Sequence, residues 1–253
     1  MKRISLLIAV TCFALYVKAQ EIAPLKNTDF KKNNVKLNLF GLPLKNISLQ
    51  YERGLTPKMS VCLGVRLQPK GTLPFKSSVS NAIGDDDTAS NDFVNNAKLS
   101  SWGITPEFRY YFGKKPLNGF YIAPYLRIGG NSLTWSYAFR EDNGSMRPID
   151  FTGKINSIYG GLMLGAQWHF GKSFLIDWWI LGPSYGSMKI NLSADTDLSD
   201  LSADDRKDLE ESLDGIGYGG HELDSKIDNS GIRVSGRLPM FGLRTGLCIG
   251  YTF

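Results

Sequence analysis

Hydrophobic and polar residues alternate along much of the chain with the two-residue period of a β-strand. Glycines and other turn-forming residues separate the alternating stretches. The pattern predicts eight strands: Asn33–Phe40, Asn46–Arg53, Lys58–Leu67, Ala97–Phe112, Gly119–Phe139, Phe151–Phe170, Ser173–Leu192 and Ile232–Phe253. Most are long enough for the roughly 9–11 residues of a membrane-spanning strand, and the first is marginal.

The two faces of the predicted strands differ in composition. In the fourth strand, Ile104 and Phe108 fall on one face and Glu107 and Arg109 on the other. Alternation alone is also compatible with a soluble sandwich that has one wet face. The polar face here, however, is rich in glycine and tyrosine and carries single charges of both signs. A narrow barrel packs small and large side chains inside and pairs its charges, so we expect a barrel with its apolar face outward.

Short and long connections alternate between the predicted strands. Tight turns follow the second, fourth and sixth strands, over residues 54–58, 113–119 and 171–173. Longer connections follow the third, fifth and seventh strands, over residues 68–96, 140–150 and 193–231. Short turns on one rim and long loops on the other are typical of a transmembrane barrel with both termini in the periplasm. The connection at residues 41–45 is the exception, because it is short on the long-loop side.

The first 19 residues have the features of a secretory signal peptide. Lys2 and Arg3 precede an apolar run over Ile4–Val17, and small residues end the segment at Ala19. We therefore expect a signal peptide at 1–19, a periplasmic tail at 20–32 and the barrel at 33–253. Three of the 29 basic residues lie in this signal, so that its removal lowers the formal net charge from +5 to +2. The composition then gives no support for nucleic-acid binding.

The chain ends on an alternating strand, GLCIGYTF, at residues 246–253. A barrel in lipid has no free strand edge, so we expect this strand to pair with the first one. Tyr251 and Phe253 would then lie in the aromatic girdle at the periplasmic interface.

Charged side chains on the polar faces are the candidate functional residues. Alternation places seven of them inside the barrel: Glu52, Arg66, Glu107, Arg109, Arg127, Asp177 and Arg244. Gln50, Gln167 and His169 are expected beside them. An unpaired ion away from water is costly, so we expect an ion-pair network that plugs the lumen. If the pairs can exchange partners, the same residues would form a gated small pore.

The predicted long loops are acidic, over residues 84–92 and 193–215. Within the second, a capping pattern and two leucines one turn apart predict a short amphipathic helix over 203–213. Asp195 and Asp197 have the spacing of calcium ligands, but the central glycine and closing glutamate of an EF-hand are missing. We expect a solvated acidic loop, with no metal and no cofactor.

A lipid-modifying enzyme would need a histidine with a serine or carboxylate near the outer interface. His221, Asp224 and Ser225 are the candidates for such a site. The glycines and charges around them indicate a flexible loop, and we expect no enzymatic activity.

The eight strands, the signal and the C-terminal ending resemble the small outer-membrane barrels of the OmpA, OmpX and OmpW type. Residues 35–71, VKLNLFGLPLKNISLQYERGLTPKMSVCLGVRLQPKG, resemble the start of an outer-membrane barrel family that carries only a domain-of-unknown-function label. The resemblance implies a bacterial outer-membrane location, lipid around the wall, and reading of the strand that ends in Phe253 by the barrel assembly machinery. It supplies no functional residues.

Three functions are compatible with these features. A structural or interaction role, with the loops facing outward toward another envelope protein, is the first hypothesis. A narrow pore or a carrier for small solutes or apolar molecules is the second, and a lateral opening between strands would favour it. A lipid-modifying enzyme is the third.

Overall fold

The computed structural model describes residues 30–73, 76, 94, 96–140, 146–199, 217–218 and 221–253. Residues Lys31–Phe253 form one compact unit. Its strands are β1 (Asn33–Asn38), β2 (Ile47–Thr56), β3 (Met59–Thr72), β4 (Lys98–Tyr111), β5 (Gly119–Arg140), β6 (Met146–Phe170), β7 (Phe174–Asp195), β8 (Gly217–Tyr218), β9 (His221–Glu222), β10 (Asp224–Asp228) and β11 (Gly231–Thr252). A single 3₁₀ turn, Leu42–Leu44, lies between β1 and β2 in the described residues.

Eight of these strands close into an antiparallel ring. Strands β1 to β7 pair in chain order, β7 pairs with β11, and β11 pairs with β1. The predicted all-β, eight-stranded antiparallel barrel is therefore confirmed as a fold. Within the described part of the chain, no helix has both the length and the apolar character to cross a membrane.

The wall of the ring is apolar outside and largely polar inside. Leu49, Leu63 and Trp102 are 45–49% exposed, whereas Gln50 and Cys62, their neighbours in sequence, are buried. The same alternation continues in β4 and β5, so the predicted face assignment is confirmed. The two cysteines of the described residues, Cys62 and Cys248, are buried and form no disulfide.

We call the two ends of the barrel the turn rim and the loop rim. The turn rim contains the connections at residues 57–58, 112–118 and 171–173. The first residue of β1 and the last residue of β11 also lie there. There the Asn33 amide donates to the Phe253 carbonyl at 3.1 Å, and the Phe253 amide donates back at 2.9 Å. The turn after β4 folds inward: Leu117 is buried with a left-handed φ of 47°, and its amide donates to the Pro57 carbonyl at 2.8 Å.

The loop rim differs from the sequence prediction. Strands β5 and β6 extend to Arg140 and Met146, so most of the predicted connection at 140–150 is strand. Part of the predicted connection at 193–231 forms β8, β9 and β10, and β10 makes a hairpin with β11. The acidic stretch 84–92, the predicted helix at 203–213 and the predicted signal peptide lie outside the described residues.

An apolar cluster explains why the strands continue at this rim. Its buried members are Ile149, Ala194, Leu198, Leu223, Ile232, Val234 and Leu238. Phe151, Met188, Ile190, Leu192 and Ile227 pack against them. Burial of these side chains stabilises the extended ends of β6, β7 and β11, at roughly 25 cal/mol for each Å² of apolar surface removed from water.

The ring closes over a short distance only. Because β1 ends at Asn38, it pairs with β11 from Thr252 to Cys248, and one further bond joins the Leu39 amide to the Leu247 carbonyl at 2.8 Å. At the loop rim, β10 covers the same edge of β11 from Gly231 to Ser235. Between these points, from Gly236 to Gly246, no described strand pairs with that edge. We call this unpaired stretch the side gap.

The outer surface beside the side gap is unusually exposed. Phe241 and Leu243 of β11 are 68% and 66% exposed, more than any other large apolar side chain in the described residues. Each outward side chain of a barrel is normally flanked by neighbours from two adjacent strands. Phe241 packs against Tyr185 of β7 with ring centroids 4.9 Å apart, and no described strand covers it on the other side.

Candidate functional site: the charged lumen

Six charged side chains from five strands meet inside the barrel near the turn rim. They are Lys36 of β1, Glu52 of β2, Glu107 and Arg109 of β4, Asp177 of β7 and Arg244 of β11. All six are buried, and we call them the ion cluster. Strand alternation directs each of them inward, because every second side chain of a barrel strand points to the interior.

Arg109 holds the centre of the ion cluster. Its Nε donates to Glu107 Oε1 at 2.5 Å, and its Nη1 donates to Asp177 Oδ2 at 2.7 Å. Its Nη2 donates to Gln50 Oε1 at 2.9 Å. The planar guanidinium therefore joins β4, β2 and β7 across the lumen, which a lysine cannot do with the same geometry. The ring of Tyr121 lies 4.2 Å from Arg109 Cζ.

Lys36 joins a carboxylate of the neighbouring strand β2 to a carboxylate of β7. Its Nζ lies 2.6 Å from Glu52 Oε2 and 2.7 Å from Asp177 Oδ2, and it donates to Gln167 Oε1 at 2.5 Å. A lysine ammonium has three donors, so these three contacts satisfy it.

Arg244 forms the edge of the ion cluster that is nearest the loop rim. Its Nη1 donates to Glu107 Oε2 at 2.7 Å. Its guanidinium carbon lies 4.0 Å from the ring of Trp179 and 5.1 Å from that of Tyr125, which is the geometry of cation–π contacts.

Neutral donors complete the shells of the carboxylates. Glu52 accepts from Ser60 Oγ at 2.5 Å, from Tyr111 OH at 2.7 Å and from Asn34 Nδ2 at 2.9 Å. Tyr121 OH donates to Asp177 Oδ1 at 2.8 Å. Three cations and three anions thus form a neutral, densely bonded set, which is the condition under which buried charge is tolerated.

Five of the seven predicted network residues lie in the ion cluster: Glu52, Glu107, Arg109, Asp177 and Arg244. Arg66 and Arg127 do not join it. Counted from the residues that the strand register places opposite Glu107, Arg127 lies one inward position and Arg66 two inward positions closer to the loop rim. No carboxylate of the described residues lies within ion-pair distance of either arginine. The structure therefore differs from the expectation of one network, because strand register separates these arginines from every inward acid.

The predicted polar residues have separate positions. Gln50 and Gln167 are buried and accept hydrogen bonds from Arg109 and Lys36 of the ion cluster. Gln167 Nε2 also donates to the carbonyl of the inward-folded Leu117 at 2.9 Å. His169 is half-buried at the turn rim, where its backbone amide donates to Asn118 Oδ1 at 3.1 Å.

Sequence reasoning missed Lys36, although a signal for it was present. Val35 is outward and 43% exposed, so alternation places Lys36 inside with Asn34 and Asn38. With Lys36 included and the two outlying arginines removed, the charges of the ion cluster balance.

Arg127 and Arg66 border a second feature, a cavity of about 370 Å³ at the side gap. We call it the side pocket. Its polar lining consists of Asn38, Asn46, Ser48, Arg66, Arg127, Arg244 and Thr245. Its remaining lining residues are Phe40, Gly41, Leu44, Trp179 and Leu243, which come from the β1–β2 turn, β7 and β11.

The candidate enzymatic residues do not form a catalytic arrangement among the described side chains. Asp224 and Ser225 lie in β10, and the side chain of His221 lies outside the described residues. No group of three histidine, cysteine or acidic side chains in the described residues has the arrangement of a metal site.

A comparison of sequences identifies the family of this eight-stranded barrel. The model of a family described as "Protein of unknown function (DUF3575)" matches residues 5–191. The chain therefore belongs to the DUF3575 family. No curated protein matches the sequence significantly.

Among solved structures, the beta domain of the Bordetella autotransporter BrkA is similar at 10% sequence identity. The match covers 89% of this chain and 99% of that domain, with a TM-score of 0.25. A TM-score this low supports no conclusion about fold or function. The eight-stranded barrel follows from the strand pairing alone.

Proposed function

We propose that the protein is an integral outer-membrane barrel with a structural or interaction role, whose lumen is closed by the ion cluster. The observation that carries this proposal is the set of bonds that Arg109 makes with β2, β4 and β7 across the lumen. Side chains joined from opposite walls leave little room for hydrated ions. Leu117, buried beneath them at the turn rim, adds to the closure.

The outer wall supports the membrane location. Large apolar side chains are exposed on every strand of the ring from β1 to β7 and on β11, among them Val35, Leu49, Val61, Ile104 and Leu126. A continuous apolar band of this kind is unfavourable in water and suits the hydrocarbon of a bilayer. In this proposal, the turn rim faces the periplasm and the loop rim faces outward, where a partner envelope protein would bind. We propose no enzymatic reaction for the barrel.

Conductance in a planar bilayer tests the closed lumen. The purified protein should give no steady single-channel current. A Lys36→Ser/Asp177→Ser double variant removes one cation and one anion from the ion cluster, so the remaining charges still balance. This variant should conduct, because water replaces the lysine side chain and the carboxylate that together bridge β1 and β7.

Arg53→Gln is the matched control, since Arg53 is exposed and bonds to Asn33 Oδ1 outside the lumen. Its conductance should equal that of the unchanged protein. Steady currents through the unchanged protein would refute the closed lumen. If the double variant gave no current but had the electrophoretic mobility of a folded barrel, the ion cluster would not be what blocks ion flow.

A second candidate function is a carrier or binding protein for apolar molecules. The side gap favours it, because a strand edge that no described strand pairs with lies beside an open cavity and offers a path from the bilayer into the wall. This function is compatible with a lumen that conducts no ions.

A further inference from the structure

The side pocket joins two chemically different regions. At its mouth lie Phe40, Leu44 and Leu243, which are 54%, 44% and 66% exposed on the outer surface. At its inner end lie the guanidinium groups of Arg66, Arg127 and Arg244. A molecule that fills the side pocket would therefore meet apolar side chains where it leaves the wall and cations where it ends.

Two of the three cations at the inner end have no described counter-charge. Arg244 is paired with Glu107, but Arg66 and Arg127 have no carboxylate partner among the described residues. Arg127 donates to neutral oxygens only, to Thr105 Oγ1 at 2.8 Å and to Tyr159 OH at 3.4 Å. Both side chains are half-buried. A partly desolvated cation without a counter-charge is unfavourable, so this end of the pocket favours an anion.

Donor atoms in the side pocket are also left without partners. Arg66 Nε and Arg244 Nε are buried and make no hydrogen bond in the structure. A buried N–H without a hydrogen bond is unfavourable, and a bound oxygen anion would supply the missing acceptor. Guanidinium groups bind carboxylates and phosphates through paired N–H donors, which is the chemistry these atoms offer.

We propose that the side pocket binds the anionic head group of an amphiphile, a carboxylate or a phosphate, and that its acyl chain leaves through the side gap along Phe40, Leu44 and Leu243. This inference rests on the second candidate function, because it requires entry from the bilayer. The cavity of about 370 Å³ accommodates a head group and the first part of a chain. The rest of the chain lies against the exposed β11 surface.

Binding to the full-length barrel in phosphatidylcholine nanodiscs tests the proposal by calorimetry, with empty nanodiscs subtracted. Laurate and dodecyl phosphate are the anionic probes, dodecanol and dodecyltrimethylammonium the neutral and cationic ones, and inorganic phosphate the head group alone. We expect saturable binding of one or both anionic amphiphiles and at least tenfold weaker binding of the other three probes. Preference between laurate and dodecyl phosphate identifies the head group.

An Arg66→Gln/Arg127→Gln variant should lose at least about tenfold in affinity, since it removes both unpaired charges and their charge-assisted hydrogen bonds to the head group. Arg53→Gln, which changes an exposed arginine at the turn rim, should bind normally. A second variant, Leu243→Trp, fills the mouth and keeps both arginines, so it should also weaken binding. Leu126→Trp on the outer face of β5 is its control.

Each contrary outcome has a distinct meaning. Equal binding of dodecanol would keep lateral entry and overturn the anionic head group. Binding of inorganic phosphate as tight as that of dodecyl phosphate would overturn the acyl chain. Failure of all amphiphiles to bind would overturn both this inference and the carrier function, and would leave the closed lumen untouched. Unchanged binding in the double arginine variant would remove Arg66 and Arg127 from the site.

Discussion

Two levels of one lumen use inward arginines in opposite ways. In the ion cluster, Arg109 contacts Glu107, Asp177 and Gln50 within 2.9 Å. In the side pocket, two inward positions toward the loop rim, Arg127 donates hydrogen bonds to the hydroxyl groups of Thr105 and Tyr159 only. Both levels are built by the same strand alternation, so the difference lies in which carboxylates the strand register brings opposite.

The difference distinguishes a charge that is paired within the protein from a charge that is free to bind a ligand. A buried cation whose donors are used by carboxylates and amide oxygens, as those of Arg109 are, holds the wall together, and its desolvation cost is already offset by its partners. A buried cation with unused donors keeps its desolvation cost until a ligand compensates it. The same residue type therefore acts as a structural bond at one level and as a candidate binding group at the other.

Arg109→Met should produce the largest effect in the barrel. It removes the central cation and leaves Glu107 and Asp177 with fewer partners in a buried site. Breaking such a pair costs about 3–5 kcal/mol of unfolding free energy. Urea unfolding of the lipid-reconstituted barrel, followed by tryptophan fluorescence, measures it.

Arg109→Lys sharpens this first test. It keeps the charge and loses the planar set of donors, so its stability should lie between those of Arg109→Met and the unchanged protein. A loss below about 1 kcal/mol for Arg109→Met would show that water or other groups replace the guanidinium, and the ion cluster would not be structural.

Gly165→Ala tests the neutral hydrogen-bond donors around the ion cluster, and its expected loss of stability is smaller than that of Arg109→Met. A Cβ at Gly165 would overlap the Tyr121 hydroxyl group, which donates to Asp177 Oδ1 at 2.8 Å. The ring must move away from Asp177, at a cost of about 1–3 kcal/mol in the same unfolding experiment.

Gly160→Ala, on the same strand, is the matched control. Its Cβ would lie 3.5 Å from the nearest atom, the Tyr125 carbonyl oxygen, which is an ordinary contact. Its stability should change by less than about 0.5 kcal/mol. Equal losses for both variants would mean that glycine itself, rather than space for Tyr121, is required in β6.

Alternation made much of this fold predictable. The period of two residues identifies which side chains face the lumen, and it applies equally to Lys36, which the sequence argument overlooked. The partners within the ion pairs were harder to predict. The contact of Arg109 with Asp177 depends on residues 68 positions apart, and therefore on the tilt and stagger of the strands around the ring.

The side gap and the loop rim were not predictable for related reasons. The sequence already predicts a short first strand. The length of the side gap, however, depends on how far β11 extends past that strand. Leu238 and Val234 are buried in the apolar cluster at a level where a polar interior was expected. Their local pattern does not reveal that Leu223, from a segment interpreted as a flexible loop, would cover them.

Arg66→Met should have the smallest effect on stability, and it completes the comparison because it repeats the substitution proposed for Arg109. Arg66 has no described carboxylate partner and its Nε makes no hydrogen bond, so the variant loses no ion pair and relieves the repulsion with Arg127. The unfolding free energy should stay unchanged or rise by up to about 1 kcal/mol, a sign opposite to that of Arg109→Met. A fall of more than about 2 kcal/mol would reveal a structural partner for Arg66, and the distinction between the two levels of the lumen would be lost. If the signs do differ, added dodecyl phosphate should stabilise the unchanged protein more than the Arg66→Met variant, because a ligand stabilises only the folded state that binds it.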